Sequence, residues 1–290
     1  MHAFDYSRPN TLQEALLLLS GQGNRPIAGG TDVIPRLRTN HFDVYHLVDI
    51  SRLNDLRFIE ERCDMIHIGA LVSHQSIVDA ELLKEKAHVL VEAASSVGCR
   101  QTRVQGTIGG NLANASPAAD TSPALLVLNA DVHLVSQNGS RTTALIDFFT
   151  GPGQNCLVHG EIIHSVSFRQ LQGRWGSAFL KLGKRAGMAI SVASAAAVLT
   201  LGENNVITDV RLAFGSVAPR PVRSPAAESV LLGKKATLEL IIEAAEASQS
   251  DISPISDVRS TCEYRRHAAK ILAQRSLQTA FIQADQRKIA

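Results

Sequence analysis

Ile27-Ala28-Gly29-Gly30-Thr31-Asp32 and, further along, Thr107-Ile108-Gly109-Gly110-Asn111 are the two stretches on which the reading of this chain turns. Each joins paired glycines to a hydroxyl residue and a short polar residue. A side chain at any of the glycines would hold the main chain away from a bound phosphate. Bare Cα atoms allow close approach and open the positive-φ conformations that point successive N–H groups one way. Two such segments facing each other would grip one pyrophosphate from both sides.

A Gly-Gly pair alone is commonly a turn, and neither stretch has the G-x-G-x-x-G or G-x-x-x-x-G-K-S/T spacing of the diagnostic nucleotide loops. The surroundings add weight. Pro26-Ile27-Ala28 reads as a short buried strand, and Asp32 is placed to cap a helix whose first turn tolerates Pro35. Strand, glycine loop and helix start form a common anion cradle.

At these residues the sequence resembles the FAD-binding subunit of the molybdenum hydroxylases. That group includes the flavin subunit of bacterial xanthine dehydrogenase, the medium subunit of carbon monoxide dehydrogenase and the beta subunit of 4-hydroxybenzoyl-CoA reductase. The resemblance runs through Ala28 to Val33, Thr107 to Asp120, and Asp147-Phe148-Phe149-Thr150-Gly151-Pro152-Gly153. It continues through Phe179-Leu180-Lys181 with Arg185, Phe214 to Pro221, and Ser256-Asp257-Val258-Arg259 with Tyr264-Arg265-Arg266. It covers nearly the whole chain, and the wording is most similar to the xanthine dehydrogenase branch. The residues alone give a two-loop anion site; the resemblance implies that the ligand is FAD.

With 290 residues, 45% of them hydrophobic and 19% charged, the chain can bury sizeable cores and is expected to form two domains. A formal net charge of +2 gives no reason to expect nucleic acid or an anionic membrane as partner. The start, Met1-His2-Ala3-Phe4-Asp5-Tyr6, lacks the pattern of a signal peptide, and no apolar run approaches the ~18 residues of a membrane span, so a cytoplasmic location is expected. Cys63, Cys99, Cys156 and Cys262 are dispersed without a C-x-x-C pair and read as reduced thiols, not as zinc or iron–sulfur ligands. Some relatives in the 4-hydroxybenzoyl-CoA reductase branch carry an extra cluster on this subunit; the dispersed cysteines argue against one here. The histidines lack H-x-x-x-H or H-E-x-x-H spacing, and no G-x-S-x-G elbow occurs, so the chemistry is expected from a bound cofactor. A flavin suits this, because its ring carries one- and two-electron chemistry and asks the protein for position, burial and local charge.

Thr11-Leu12-Gln13-Glu14 is a capping box ahead of a helix with Leu12, Ala15, Leu16 and Leu19 on one face. Strand-like runs at 44–50, 57–60 and 65–70 precede helical patterns at 76–83 and 88–97. Thr121-Ser122-Pro123 opens an apolar helix, 131–136 is a strand, and Asn138-Gly139 marks a hairpin. After the polar stretch 170–176, the run 189–201 of small apolar residues and the alternating strand from Val206 form a buried hairpin, followed by helices near 226–232, 238–247 and 263–281. The expected fold class is α+β. It comprises an N-terminal PCMH-type FAD-binding domain, 1-172, of two α/β subdomains split near 55-60, and a C-terminal domain, 177-286, of antiparallel sheet covered by helices.

The resemblance implies roles residue by residue. Arg25, Pro26, Ile27, Ala28, Gly29, Gly30, Thr31, Asp32 and Val33 would wrap the pyrophosphate and ribityl region, mainly through backbone N–H groups. Thr107, Ile108, Gly109, Gly110 and Asn111 would supply the opposing clamp. Asp120 is similar to the family acid near the ribose, although a helix N-cap would also place an Asp there, and Ser116 is a second candidate at that end. Lys181 is similar to a family lysine near the flavin ring, where a cation favours the anionic reduced flavin; a surface lysine is the other reading. Ile163 aligns with an apolar residue over the cofactor and equally suits a core strand. Asp147-Phe148-Phe149 with Gly151-Pro152-Gly153 looks like the loop near the ring. Arg259, Tyr264, Arg265 and Arg266 suit either a solvated helix face or a contact inside a larger enzyme.

The function implied is that of an electron-transfer subunit. A molybdenum-pterin large subunit would oxidise substrate, an iron-sulfur small subunit would carry electrons, and FAD here would pass them to NAD or another acceptor within a hetero-oligomer. A self-contained FAD-dependent oxidoreductase and a cofactor-free scaffold subunit are the alternatives.

Overall fold

A computed structural model describes residues 3–39 and 44–287; Met1 and His2 lie outside them. Its first layer is a parallel three-stranded sheet in the order Asp5–Ser7, His46–Asp49, Asn24–Ile27. The helix Leu12–Leu19 packs on it through Ala15, Leu16 and Leu19. The capping box forms: Thr11 Oγ1 accepts from the Glu14 amide at 3.2 Å, and Glu14 reaches back to the Asn10 amide at 2.9 Å, one residue before the usual target. The second layer is an antiparallel five-stranded sheet, Ile59–Arg62, Met65–Gly69, Ile162–Arg169, Asp131–Ser136, Gly139–Ala144. The last two strands are joined by the two-residue turn Gln137-Asn138, with Gly139 at φ 137 beginning the return strand.

The segment expected as one helix at 76–83 is two, His74–Asp79 and Glu81–Lys86, because Ala80 takes an extended conformation between them. Helices His88–Ser95 and Thr121–Val127 then fill the main core.

The C-terminal sheet is antiparallel, Arg174–Gly183, Ser191–Leu201, Ile207–Gly215, Val222–Arg223. Its central strand is buried on both faces. Ala193, Ala195 and Ala197 belong to a core with the long helix Cys262–Gln286, whereas Ala196 and Val198 join the core built by helices 88–95 and 121–127. The sheet is thus covered by helices on both sides, one layer coming from the N-terminal half. Small residues allow this closeness: a Cβ on Gly176 would sit 2.0 Å from the Ala280 carbonyl oxygen. No helix among the described residues is long and apolar enough to cross a membrane. All four cysteines are free thiols.

The parallel sheet is closed by a polar bolt. Asp49, at the end of its central strand, accepts from Tyr6 Oη (2.5 Å), Arg8 Nε (2.7 Å) and the Ser51 amide (2.9 Å). Burial works to raise the Asp49 carboxyl, but these hydrogen bonds outweigh it and hold the pKa at about 2. A depressed carboxyl contributes stability that is present above its unfolded value, near 4, and lost as pH falls through about 2. Asp49→Asn is expected to lower the urea midpoint at pH 7, and the gap from wild type should narrow as pH drops below about 4.

Candidate functional site

The first glycine stretch follows strand Asn24–Ile27 and precedes helix Val33–Arg38. Gly30 makes the turn at φ +69, a conformation that favours glycine. Gly29 is required for another reason. A Cβ there would lie 1.7 Å from the Gln105 carbonyl oxygen, so the first loop rests directly on the backbone that leads into the second. Among the described residues, the amides of Gly29, Gly30, Thr31 and Asp32 donate no hydrogen bond, which leaves a run of donors for a ligand. Asp32 does not cap the helix as its position suggests; its carboxylate pairs with Arg36 at 2.9 Å, one turn on.

The second stretch is not a loop. Thr107 is the N-cap of helix Ile108–Asn114, and its Oγ1 accepts from the Gly110 amide at 3.1 Å. The Ile108 amide donates to Val72 O (3.0 Å), Gly109 to Ala70 O (2.9 Å), and Asn111 to Thr107 O (2.9 Å). Every amide from Ile108 to Asn111 is therefore engaged inside the protein, so the symmetrical backbone clamp expected from the sequence is not what is built. Neither Gly109 nor Gly110 has positive φ. Their smallness serves packing, since a Cβ on Gly109 would meet Ala70 Cβ at 2.6 Å and one on Gly110 would meet Thr107 Oγ1 at 2.9 Å.

Between the two stretches lies a cleft of ≈ 840 Å³, within the range of small-molecule and cofactor sites. Arg25, Pro26, Ala28, Gly29, Gly30, Thr31, Asp32 and Val33 line one side, and Thr107, Gly109, Gly110 and Asn111 line the other. Ile163 lines it too, as does the hairpin Thr150 to Asn155. That hairpin is tied to the end of helix 108–114, with the Gly153 amide on Ala115 O at 3.0 Å and Asn155 Nδ2 on Ala113 O at 2.8 Å.

Five expected residues lie outside the cleft lining. Ile27 packs against the small Leu37, Val44 and Leu47 cluster, and Ile108 is fully buried in the main core. Ser116 Oγ accepts from the Ala118 amide at 3.2 Å. Asp120 and Lys181 are paired with each other at 2.6 Å; Asp120 also accepts from Ser191 Oγ at 2.5 Å, and Lys181 donates to Ser96 O at 3.0 Å. Burial pushes the Asp120 carboxyl up, opposed by Lys181, Ser191 and Ser96. Lys181 is therefore no loose surface lysine. Arg265 is likewise not on a solvated face: it is 3% exposed and donates to Val192 O, Ser216 O and Asp257 Oδ1.

The structure adds residues that the sequence did not suggest. Asn114 and His74 line the cleft, and each has a buried polar atom without a partner among the described residues, Oδ1 and Nδ1. Asn114 follows Asn111 at i+3 on one helix face, a spacing that was available to read; His74 had no such signal. Asn111 is oriented by Thr121, whose Oγ1 donates to Asn111 Oδ1 at 2.7 Å. Unused amides at the first loop and side chains positioned by the second fit an elongated anionic ligand carrying many polar groups.

Fold and cleft define an α+β protein with a site for an elongated anionic ligand, and comparison with known proteins gives its family. Residues 2–168 match the model described as the FAD binding domain in molybdopterin dehydrogenase, and residues 178–280 the CO dehydrogenase flavoprotein C-terminal domain. The glyceraldehyde dehydrogenase medium chain of Sulfolobus acidocaldarius is 36% identical, over 94% of this chain and 96% of its own. The xanthine dehydrogenase FAD-binding subunit of Escherichia coli O157:H7 is 33% identical, over 95% of each. A solved carbon monoxide dehydrogenase from Hydrogenophaga pseudoflava superposes with a TM-score of 0.93 at 29% identity, covering 97% of this chain and 98% of that one. The chain belongs to the FAD-binding medium subunits of the molybdenum hydroxylases. Its cofactor is FAD, and it is an oxidoreductase subunit.

Gly29→Ala puts a methyl group into the Gln105 carbonyl and must part the two walls. The purified variant is expected to retain well under half the flavin of wild type, read from absorbance. Gly187→Ala, which meets nothing within 4 Å, should retain it all.

Proposed function

We propose that this chain is the flavin relay of a molybdenum-containing dehydrogenase complex in the cytoplasm. It takes electrons from iron–sulfur clusters on a small partner subunit and delivers them to NAD or another acceptor, while a large molybdenum–pterin subunit oxidises the substrate. The observation that carries this reading is the ≈ 840 Å³ cleft with its unused amides at Gly29 to Asp32, on a chain matched along nearly its full length by flavin subunits. Relatives named as medium chains imply a larger and a smaller companion. Four free thiols suit a reducing compartment. The domains are taken as 1-172, divided near 55-60, and 177-286.

Bound in the cleft, FAD supplies one- and two-electron exchange. The protein's part is placement. Amides from Gly29 to Asp32 receive the diphosphate, with Thr31 adding a hydroxyl. Asn111, held by Thr121, offers its amide group from the facing helix. Thr107, Gly109 and Gly110 contribute surface and closeness, because their backbone is otherwise engaged. Ile163 and the Thr150 to Asn155 hairpin shield the far end. Asp120 and Lys181 hold the C-terminal sheet against the cleft-bearing half, since the two residues come from opposite sides of that junction.

Nothing in the cleft chooses the oxidised substrate. Names of comparably similar relatives span glyceraldehyde, carbon monoxide, nicotinate and xanthine. A xanthine dehydrogenase-type complex is the specific form we favour from the wording of the motifs; the glyceraldehyde dehydrogenase relative makes an aldehyde the second substrate class to assay.

Native purification is expected to yield a complex with one FAD per copy of this chain together with molybdenum and iron. The isolated chain should bind FAD yet oxidise neither xanthine nor aldehyde. A lone chain that turns over either substrate overturns the relay.

A further inference from the structure

His74 stands at the start of helix His74–Asp79, after Ser73, whose Oγ accepts from the Ser76 amide at 3.0 Å. Its own amide donates to Gly106 O at 3.0 Å, which sews this helix to the segment joining the two glycine stretches. The ring packs on Gly106: a Cβ there would be 3.2 Å from His74 Cδ2 and 3.6 Å from Thr31 Oγ1. His74 therefore lies beside the first loop, where the unused amides gather. The side chain is 2% exposed, it lines the cleft, and its Nδ1 is buried with no partner among the described residues.

This placement decides what the ring can offer. Burial, helped by the Arg103 guanidinium, takes the His74 pKa down to about 4, so the imidazole is neutral in the physiological range. A neutral ring carries one N–H. Burying an N–H without an acceptor costs more than burying a bare lone pair. The proton therefore resides on Nε2, leaving Nδ1 as the unprotonated, unpartnered nitrogen.

We propose that His74 is an FAD-binding residue, donating from Nε2 to the diphosphate of the cofactor as an uncharged partner to the first-loop amides. This rests on FAD occupying the cleft, as proposed above. A neutral donor suits the site, because it adds direction without a desolvated charge that would need compensation whenever the cleft is empty. Removing the ring should accordingly weaken the cofactor complex while sparing the cofactor-free protein, in which the orphaned nitrogen contributes nothing favourable.

The test uses the full chain stripped of flavin, titrated with FAD by fluorescence quenching, with ADP as competitor. In His74→Leu the Kd for FAD is expected to rise roughly tenfold to a hundredfold, the worth of a hydrogen bond to a charged group. ADP, which carries the diphosphate without a flavin, should weaken by the same factor. The melting temperature of the FAD-free variant should equal or exceed that of wild type. His74→Gln, which keeps an N–H donor, should recover part of the affinity. Unchanged FAD affinity in His74→Leu overturns the assignment, and so does ADP binding that stays intact while FAD binding falls. A destabilised FAD-free variant, with His74→Gln no better than His74→Leu in affinity, shows a purely structural role and also overturns it. Wild-type protein that binds no FAD brings down the cleft reading itself, a failure distinct from equal binding by wild type and variant.

Discussion

The structure depends on one contact between two stretches of bare backbone, Gly29 against the Gln105 carbonyl. With only 1.7 Å between that oxygen and the place a Cβ would take, no other residue fits at position 29 unless the walls move. Apolar packing also joins the two layers: Leu16, Leu19 and Val48 of the first meet Leu56, Leu71 and the antiparallel strand's Ile162 in one small core, while Leu37 and Leu47 form another. That packing draws the layers together without fixing their spacing at the glycine stretches. Close backbone approach at Gly29, with Thr31 next to Gly106, sets that spacing and hence the width of the cleft.

The two glycine stretches look alike in sequence and do different work. Helix Ile108–Asn114 must satisfy its leading amides, and it does so with Thr107 and with the carbonyls of Ala70 and Val72. Those bonds seat the helix just past the end of the inner strand Met65–Gly69, and the space for that seating is the missing side chain of Gly109. The first stretch begins only a six-residue helix and keeps its amides unspent. The cleft as built thus offers unspent backbone donors on one side and side chains such as Asn111 on the other. The arrangement lets the second wall be rigid without being the electrostatic partner.

Much of this was legible in the chain. The capping box at Thr11, the strand Asp131–Ser136, the helix Leu238–Ala247 and the buried central strand each follow from local spacing, and the structure has them within a residue or two. Local spacing also fails in definable ways. Ala80 gives no local sign of extending, so one helix was read where two exist. A Thr-x-Gly-Gly stretch reads equally as a loop or a capped helix start, since only the partners of its amides differ. His74 was invisible because its environment is assembled from Gly106, Thr31 and Arg103, residues that only the fold brings together. For the same reason the sequence leaves Arg265 open between a solvated helix face and a contact inside a larger enzyme; its acceptors, Val192 O, Ser216 O and Asp257, span the C-terminal half.

The junction between the two halves shows why a buried ion pair is used where apolar packing was available. Around it the sheet offers small side chains, Ala196, Ala213 and Val198, whose apolar contacts carry no direction and leave some freedom of register. Asp120 and Lys181 remove that freedom. Bringing both charges out of water is expensive, and their attraction, with the bonds from Ser191 and to Ser96 O, offsets it only in one geometry. A slipped interface would leave both charges buried and unpaired, about 3–5 kcal/mol for each partner lost. The pair therefore favours one register of the two halves over its neighbours more than it adds net stability.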